Sequence, residues 1–277
     1  MSSMNTAAIL GERAVLPPST FARMPGHVAA PYLRPVPSAD IGHAAGPRLH
    51  QMFVTHPALR TLSPAERQGL LQGSRVRTLR RKEVAGSEGD PVNHVFLVLD
   101  GYIKLSRLVS DGSEVLLDIA SPSACIGEFA ALQQQPLDVT LTALTPCRLL
   151  LMNARHFRQT FERQSDGLRA LVSLAGDRLL AMTETLVDIC ALPAAGRLAK
   201  ALLRLAPLSS RKAATGGTVS LPVRLSQSEI GMMTGVCREA VNKQLRAWLA
   251  DGLLDMTAGV VTAIRPAALT EVLEIAT

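Results

Sequence analysis

Two charged side chains stand together at the start of a predicted helix, and their chemistry suits contact with DNA bases. Arg238 and Glu239 directly follow Cys237, near which the helix should begin. An Arg guanidinium can pair bidentately with guanine, and a Glu carboxylate can accept a hydrogen bond from the N4 amine of cytosine. In a helix-turn-helix, base edges are contacted from the N-terminal part of the second helix. The alternative interpretation is an ordinary helical hairpin with a solvated charged face.

The surrounding residues predict the helix-turn-helix that would position this pair. Ser226 and Glu229 are three residues apart and form a capping-box pattern for a first helix. Residues 234–236 (Thr-Gly-Val) predict a short turn that contains Gly. Apolar residues of the second helix recur at helical spacing and should face inward: Ala240, Val241, Leu245, Trp248 and Leu249. The outward face then carries Arg238, Glu239, Asn242, Lys243 and Arg246.

Two short apolar stretches after the second helix predict a β-hairpin. They cover residues 253–256 and 260–264, on either side of Thr257-Ala258-Gly259. A helix-turn-helix followed by a hairpin is a winged helix, which weakens the plain-hairpin interpretation. Pro266 then predicts the start of a last helix.

These features resemble the Crp/Fnr family of bacterial transcription regulators over roughly residues 50–265. Residues 235–241 (Gly-Val-Cys-Arg-Glu-Ala-Val) are similar to the family's recognition-helix start, Gly-x-Ser-Arg-Glu-Thr-Val. Residues 126–129 (Ile-Gly-Glu-Phe) resemble the phosphate-binding cassette of cyclic-nucleotide domains. The resemblance implies an α+β protein with a cyclic-nucleotide-binding-like antiparallel β jelly roll, a long dimerisation helix and a C-terminal winged helix-turn-helix.

Four segments are expected from these signals. Residues 1–47 are rich in Pro, Ala and Ser without a helical or strand period, which predicts a disordered tail. Residues 48–165 should form the sensor domain, residues 166–192 the central dimerisation helix, and residues 193–277 the winged helix-turn-helix domain.

The resemblance implies a homodimer that binds a palindromic TGTGA-like site in double-stranded DNA. The family's base-reading positions fall on Arg238, Glu239 and Lys243. Lys243 stands where the cyclic-AMP receptor branch usually has Arg, so the charge is kept and the bidentate fork is lost. The other residues expected at the DNA are Asn242, Ser226, Gln227 and Cys237.

The segment over about residues 166–190 carries apolar residues three or four apart, a heptad-like stripe. These residues are Leu168, Leu171, Ala175, Leu179, Met182, Leu186 and Ile189. One interpretation is packing against the chain's own barrel. The resemblance implies the other, in which the helix pairs with its copy in a second subunit.

The cassette departs from the family where a cyclic phosphate would bind. The family's cyclic-AMP binders carry Arg-Ser about ten residues after Gly-Glu, and this chain has Leu137-Asp138. Without an Arg to neutralise the phosphate, we expect no cofactor and no high-affinity binding of cyclic AMP. The positions implied for an effector pocket are Gly127, Glu128, Asp138, Met182 and Thr183.

Two other ways of controlling DNA binding remain open. DNA binding could depend on an unidentified small molecule, or on oxidation of Cys237, whose place at a helix N-terminus beside Arg238 favours thiolate chemistry. A passive substitution of Ser by Cys is the simpler interpretation.

Charge and composition agree with a nucleic-acid partner. The net charge is +6 and the isoelectric point about 9.5. Five basic residues cluster in the predicted first strand of the barrel: Arg75, Arg77, Arg80, Arg81 and Lys82. They are either a solvated strand, the interpretation we favour, or a contact with nucleic acid or an acidic partner.

Other function classes find little support in the chain. The four Cys residues show no metal-ligand spacing, and no arrangement of catalytic residues or Gly-rich phosphate loop is present, so we expect neither a metal site nor an enzyme. The sequence shows no long apolar run and no signal-peptide pattern, which predicts a cytoplasmic protein without a membrane partner. The family resemblance implies a bacterial protein. RNA polymerase is a candidate partner for which the sequence indicates no contact residues.

Overall fold

The computed structural model describes residues 48–208 and 217–276; the predicted tail at residues 1–47 lies outside them. The strands of the first domain are β1 (Arg75–Leu79), β2 (Val84–Gly86), β3 (His94–Asp100), β4 (Ile103–Leu108), β5 (Glu114–Ala120), β6 (Cys125–Ile126), β7 (Thr140–Ala143) and β8 (Cys147–Asn153). The helices of the first domain and the connecting helix are α1 over residues 48–55, α2 (Pro64–Leu71), α3 (Glu128–Gln133), α4 (Ala154–Glu162) and α5 (Ser165–Ala191). The second domain contains α6 (Ala194–Leu205), β9 (Val219–Ser220), α7 (Gln227–Thr234), α8 (Arg238–Ala250), β10 (Leu254–Thr257), β11 (Val260–Ile264) and α9 (Pro266–Ala276).

Two four-stranded antiparallel sheets form the first domain. Their strand orders are β1-β8-β3-β6 and β2-β7-β4-β5. The sheets pack face to face through one apolar cluster that takes Val98 and Leu149 from the first sheet and Ile103 and Leu141 from the second. Each of these four side chains is fully buried, as alternation along a strand requires. The double-sheet architecture confirms the predicted antiparallel roll.

A second apolar cluster joins the outer face of the first sheet to the helices. Phe157 and Phe161 of α4 belong to it, with ring centroids 4.5 Å apart. Leu171 of α5 belongs to the same cluster and is only 1% exposed. The prediction that Leu171 faces a partner subunit is therefore wrong, because the first turns of α5 pack against their own barrel. Apolar residues with the same spacing are therefore buried against the barrel at Leu171 and exposed to solvent at Leu179 and Leu186.

The second domain is a winged helix-turn-helix. Val241, Leu245 and Trp248 bury one face of α8 against the domain core. Leu249 was expected to face inward too, and it is exposed. Consecutive helical residues point about 100° apart, so Trp248 and Leu249 do not both reach the core. The two strands that follow α8 pair with each other and, through β11, with the earlier strand β9, and this sheet of order β10-β11-β9 is the wing.

A charged cluster connects the end of α5 to α6. Asp188 is buried near the C-terminus of α5, and its two carboxylate oxygens lie 2.5 Å from Lys200 Nζ and 3.0 Å from Arg204 Nη2. Arg204 also donates to Thr185 Oγ1 at 2.6 Å. These contacts bridge the Leu192-Pro193 hinge, at which the long helix ends and the second domain begins.

Candidate DNA interface and sensor pocket

A complete capping box starts α7. Ser226 Oγ accepts a hydrogen bond from the Glu229 amide at 3.2 Å, and the Glu229 carboxylate accepts one from the Ser226 amide at 2.7 Å. Two amides that the first turn would otherwise leave unpaired are thereby satisfied. The sequence prediction for these two residues is confirmed, and Ser226 is held at the N-terminal end of the first helix.

The turn between α7 and α8 depends on a glycine where the two helices meet. A Cβ on Gly231 would lie 2.5 Å from the carbonyl oxygen of Val236, a distance that side chains do not tolerate. Gly235 then ends α7 with a φ of 63°, in the left-handed region. The chain can therefore reverse within a few residues and start α8 immediately after Cys237.

The outer face of α8 presents the residues expected to read bases. Arg238, Glu239 and Lys243 are all exposed, and none of them makes an ion pair or side-chain hydrogen bond to a residue that the structure describes. Arg238 and Glu239 occupy the first turn of the helix, and Lys243 follows one turn later. Three free polar groups on one protruding helix end can donate to guanine or to phosphate and accept from cytosine.

Three other residues expected at the DNA lie where α7 and α8 meet or where α8 begins. Gln227 Nε2 donates to Asn242 Oδ1 at 3.1 Å, so these two side chains link α7 to α8. Cys237 is the N-cap residue of α8; its side chain is exposed and makes no capping hydrogen bond. The thiol therefore does not replace the hydrogen bond that a Ser hydroxyl could give at this position.

The sensor domain packs directly against the helix-turn-helix domain, a contact that the sequence did not predict. Leu116 and Ile119 of β5 and Leu144 after β7 are buried in the same cluster as Ile230 of α7. Tyr102 Oη donates to the Leu208 carbonyl oxygen at 2.9 Å, and partial burial raises the pKa of this phenol. The two domains therefore share one continuous apolar core.

A cleft of about 350 Å³ opens where this contact meets the N-terminal end of α8. The turn between β4 and β5 supplies one wall, and the other wall comes from α7 and the first residue of α8. The lining residues are Ser113, Glu114, Val115, Ser228, Gly231, Met232, Gly235, Val236, Cys237 and Arg238.

An ion pair occupies the cassette of the sensor domain. Gly127 begins α3 with a φ of 83°, and Glu128 follows it with only 1% of its side chain exposed. Glu128 Oε1 lies 2.8 Å from Nη2 of Arg178, which reaches in from α5. Burial raises the pKa of the Glu128 carboxyl, and the Arg178 charge opposes that rise. The barrel and the long helix are thus joined through a buried charge.

Further contacts fix the Arg178 guanidinium in place. Its Nη2 donates to the Cys125 carbonyl oxygen at 3.1 Å, and its Cζ lies 5.1 Å from the centroid of the Phe129 ring. Sequence reasoning missed Arg178. The signal was available, because Arg178 lies one helical turn before Met182 and residues four apart share a helix face.

Of the remaining pocket residues, only Asp138 acts on Glu128, because its charge helps to raise the pKa of the Glu128 carboxyl. Leu137 is buried in the apolar cluster between the two sheets, while Asp138 next to it is exposed. Met182 and Thr183 are exposed on α5, and the Thr183 hydroxyl donates to the Leu179 carbonyl oxygen of its own helix. The position that carries the phosphate-binding Arg in cyclic-AMP binders therefore holds an apolar side chain turned into the core.

Within residues 48–208 and 217–276, no three His, Cys, Asp or Glu side chains come together as a metal site. None of the helices in that part of the chain is long and apolar enough to cross a membrane.

Two family models match the chain. A cyclic nucleotide-binding domain matches residues 76–164, and a Crp-like helix-turn-helix domain matches residues 196–272. A CRP-like cAMP-activated global transcriptional regulator of Mycobacterium tuberculosis is 30% identical over 59% of this chain and 74% of its own length. The cAMP-activated global transcriptional regulator CRP of Salmonella typhimurium is 24% identical over 57% of this chain and 75% of its own.

Solved structures share the fold at lower identity. The c-di-GMP-responsive global regulator CLP of Xanthomonas campestris superposes with a TM-score of 0.61 at 21% identity, covering 73% of this chain and 99% of its own. A CRP/FNR-family transcriptional regulator of Thermus thermophilus gives a TM-score of 0.59 at 21% identity, covering 73% and 100%.

Proposed function

The chain belongs to the Crp/Fnr family of transcription regulators, and we propose that it binds a palindromic TGTGA-like site in double-stranded DNA as a homodimer, without cyclic AMP as effector. The observation that carries the proposal is the exposed Arg238-Glu239 pair in the first turn of α8, with Lys243 one turn behind it. Arg238 would donate to a guanine and Glu239 would accept from a cytosine, so this order of residues favours a half-site that contains G·C pairs. Ser226, Gln227, Asn242 and Cys237 would support this contact from the start of α7 and α8.

The exposed apolar face of α5 supports the homodimer. Leu179 and Leu186 are 66% and 61% exposed, and Leu168, Met182 and Ile189 extend the same stripe. Large apolar side chains in a contiguous exposed row mark an association surface. A two-fold dimer along this helix would place two recognition helices one DNA turn apart, about 34 Å, as a palindrome requires. Ala175 is half-buried and fits the same stripe, whereas Leu171 does not.

The sensor pocket supports action without cyclic AMP. A cyclic phosphate needs a cation, and Leu137 fills that position with a buried apolar side chain. Glu128, the group that could hold a ribose hydroxyl, already faces Arg178 of the same chain. The relatives from Mycobacterium tuberculosis and Salmonella typhimurium are described as cAMP-activated regulators, whereas the structural neighbour from Xanthomonas campestris is described as c-di-GMP responsive. Proteins of this architecture therefore respond to different effectors. An unidentified small molecule is the alternative effector.

Control through Cys237 is the second candidate, and its position favours it. The thiol is exposed at the N-cap of α8, directly before the base-reading pair. Oxidation there would place a bulkier polar group between protein and DNA. Peroxide should then weaken DNA binding of the wild type and leave the Cys237→Ser variant unaffected. An identical response of both proteins would exclude this form of control.

Fluorescence anisotropy of the reduced protein on a palindromic TGTGA-type duplex tests the main proposal. A scrambled duplex at the same salt concentration is the control, because non-specific binding depends strongly on salt. Tight binding to the palindrome alone, with or without cyclic AMP, is the expected result. Specific binding only with cyclic AMP would overturn ligand independence, and equal binding to both duplexes would overturn the half-site.

The cellular setting follows from this function. A regulator of bacterial genes would act in the cytoplasm, where chromosomal DNA and RNA polymerase are found. RNA polymerase is its candidate protein partner.

A further inference from the structure

The buried residue near the C-terminal end of α5 is an acid. Of the 27 residues of α5, only Gly167, Leu171 and Asp188 are buried, and the first two lie near the start of the helix. The large apolar residues next to Asp188 are exposed, among them Leu186 and Ile189. A buried carboxylate costs folding free energy unless it is paired and hydrogen-bonded. The burial of Asp188 therefore depends on the cations that face it from α6.

Four residues form what we name the hinge cluster: Thr185 and Asp188 on α5, and Lys200 and Arg204 on α6. Lys200 Nζ lies 2.5 Å from Asp188 Oδ1, and Arg204 Nη2 lies 3.0 Å from Asp188 Oδ2. Arg204 Nη1 donates to Thr185 Oγ1 at 2.6 Å. The two residues on α5 are three apart and the two on α6 are four apart, so each pair shares one helix face. The hinge cluster therefore joins the two helices at two points along each of them.

Charged hydrogen bonds fix the angle between two helices more narrowly than apolar packing does. Contacts between a carboxylate and a guanidinium are short and directional, whereas apolar contact is non-directional. The backbone between the helices is extended at Leu192 and Pro193, with ψ of 141° and 165°, so the helix is interrupted there. On its other side the DNA-binding domain meets the barrel through apolar side chains, Leu116 and Ile119. The hinge cluster is therefore the directional contact that sets the angle between α5 and α6.

The recognition helix moves with α6. Leu198 and Leu202 of α6 are buried in the same cluster as Val241 and Leu245 of α8. A small domain is about 30 Å across, so a rotation of about 10° at the hinge would move its far side by about 5 Å. Successive base pairs are only about 3.4 Å apart along the duplex. The angle at the hinge therefore decides where the two recognition helices of a dimer meet a palindrome.

We propose that Asp188 determines which spacing of half-sites the protein prefers. Through the hinge cluster it fixes the angle between α5 and the DNA-binding domain, and with it the separation of the two recognition helices. The inference rests on the proposed function, because spacing matters only to a dimer on a palindrome. It assigns the preference for spacing to Asp188, while the preference for bases stays with Arg238 and Glu239. These two preferences can be measured separately.

Duplexes that differ only in the spacing of their half-sites test the inference. Each carries the palindrome that the wild-type protein selects from a random pool, with base pairs added to or removed from its centre, and each such change rotates one half-site by about 35° around the duplex. The wild type should lose affinity by about a hundredfold or more away from the selected spacing, because only one half-site can then be engaged. In Asp188→Asn the loss should shrink to roughly tenfold, because a looser hinge lets the second half-site bind at a reduced effective concentration.

Two further variants and a second measurement separate positioning from stability. Single-base variants of the half-site, at the selected spacing, measure the base preference, which Asp188→Asn should leave unchanged because α8 is intact. Arg204→Met leaves Asp188 paired with Lys200, so it should fold even where Asp188→Asn does not, and it should weaken the spacing preference in part. Glu184→Gln is the matched control, since Glu184 is an exposed carboxylate one turn before Asp188 and lies 4.0 Å from Arg204. It should keep the spacing preference of the wild type.

Three outcomes would overturn the inference. The first is a wild-type spacing preference in both Asp188→Asn and Arg204→Met. The second is a loss of base preference together with spacing preference, which would make Asp188 a residue that stabilises the domain as a whole. The third is a weakened spacing preference in Glu184→Gln, since that would be an effect of net charge. If the wild type itself shows no spacing preference, it is the proposed dimer on a palindrome that fails.

Discussion

At the residue scale, Arg238 is the side chain on which specificity should depend most. It is the first residue of α8, it is exposed, and its donors are free within the part of the chain that the structure describes. Replacing it with Ala should cost about 1–3 kcal/mol of binding free energy and relax the preference at one base pair. Anisotropy titrations of Arg238→Ala on the selected site and on single-base variants of that site measure both effects.

The matched control for that substitution lies on the same helix. Arg246 is also exposed but stands eight residues later, about 12 Å along α8 from Arg238. Arg246→Ala should weaken binding to all duplexes alike and leave the base preference unchanged. Wild-type affinity in Arg238→Ala would show that α8 enters the groove in another orientation.

His56 makes stability depend on pH. Burial, and then the charge of Arg178, lower the pKa of His56 from 6.5 to about 4. Its Nδ1 accepts a hydrogen bond from the Leu59 amide at 3.2 Å, so the folded state holds the neutral ring. An unfolded chain would bind a proton below about pH 6.5 and the folded chain would not until about pH 4. The free energy of unfolding should therefore fall by about 3 kcal/mol across that interval as the pH drops.

Urea denaturation of the wild type and of a His56→Asn variant at several pH values separates this effect from other titrating groups. The Asn side chain can supply an acceptor near the Nδ1 position, and it does not titrate. Its stability should depend less on pH between about 6.5 and 4. Parallel pH profiles for the two proteins would mean that His56 protonates without cost in the folded state.

At the element scale, the α5–α6 hinge depends on one buried carboxylate. Removing Asp188 leaves Lys200 and Arg204 without their shared partner, and both are about one third exposed. Because water screens these charges in part, Asp188→Ala should cost about 1–3 kcal/mol, less than a fully buried pair. Glu184→Ala is the control, since Glu184 is exposed and 4.0 Å from Arg204. Thermal denaturation compares the two, and equal melting temperatures would show that apolar packing alone holds the hinge.

Elements set by local interactions are those that could be predicted from the sequence. The Ser226–Glu229 capping box is local: four consecutive residues supply both hydrogen bonds, and the structure contains both. The wing is local too, because its two strands pair across a short turn. Leu171 shows the limit of this reasoning. Apolar residues three or four apart define a helix face, but the spacing does not say whether α4 or a second subunit covers it.

At the scale of the whole molecule, the contacts that the sequence did not predict join distant residues. Leu116 and Ile230 share a core although more than a hundred residues separate them, and Arg178 reaches Glu128 from a different element. No short sequence pattern predicts either contact, because each depends on how separate elements pack after they form. The candidate DNA residues lie within one motif and could be predicted, whereas the sensor pocket had to be seen in three dimensions.

The exposed face of α5 should govern assembly and, through it, DNA binding. A Leu179→Glu/Leu186→Glu variant places two like charges opposite their own copies in the proposed dimer, where desolvation and repulsion oppose association. Sedimentation should then give the mass of one chain, 29.5 kDa, where the wild type gives twice that. A Gln72→Glu/His156→Glu variant adds the same two carboxylates at exposed positions outside α5 and should remain dimeric. Because a single subunit contacts one half-site, the monomeric variant should also lose most of its affinity for a palindrome while keeping its fold. A wild-type protein that sediments as a monomer at micromolar concentration would contradict the dimer directly.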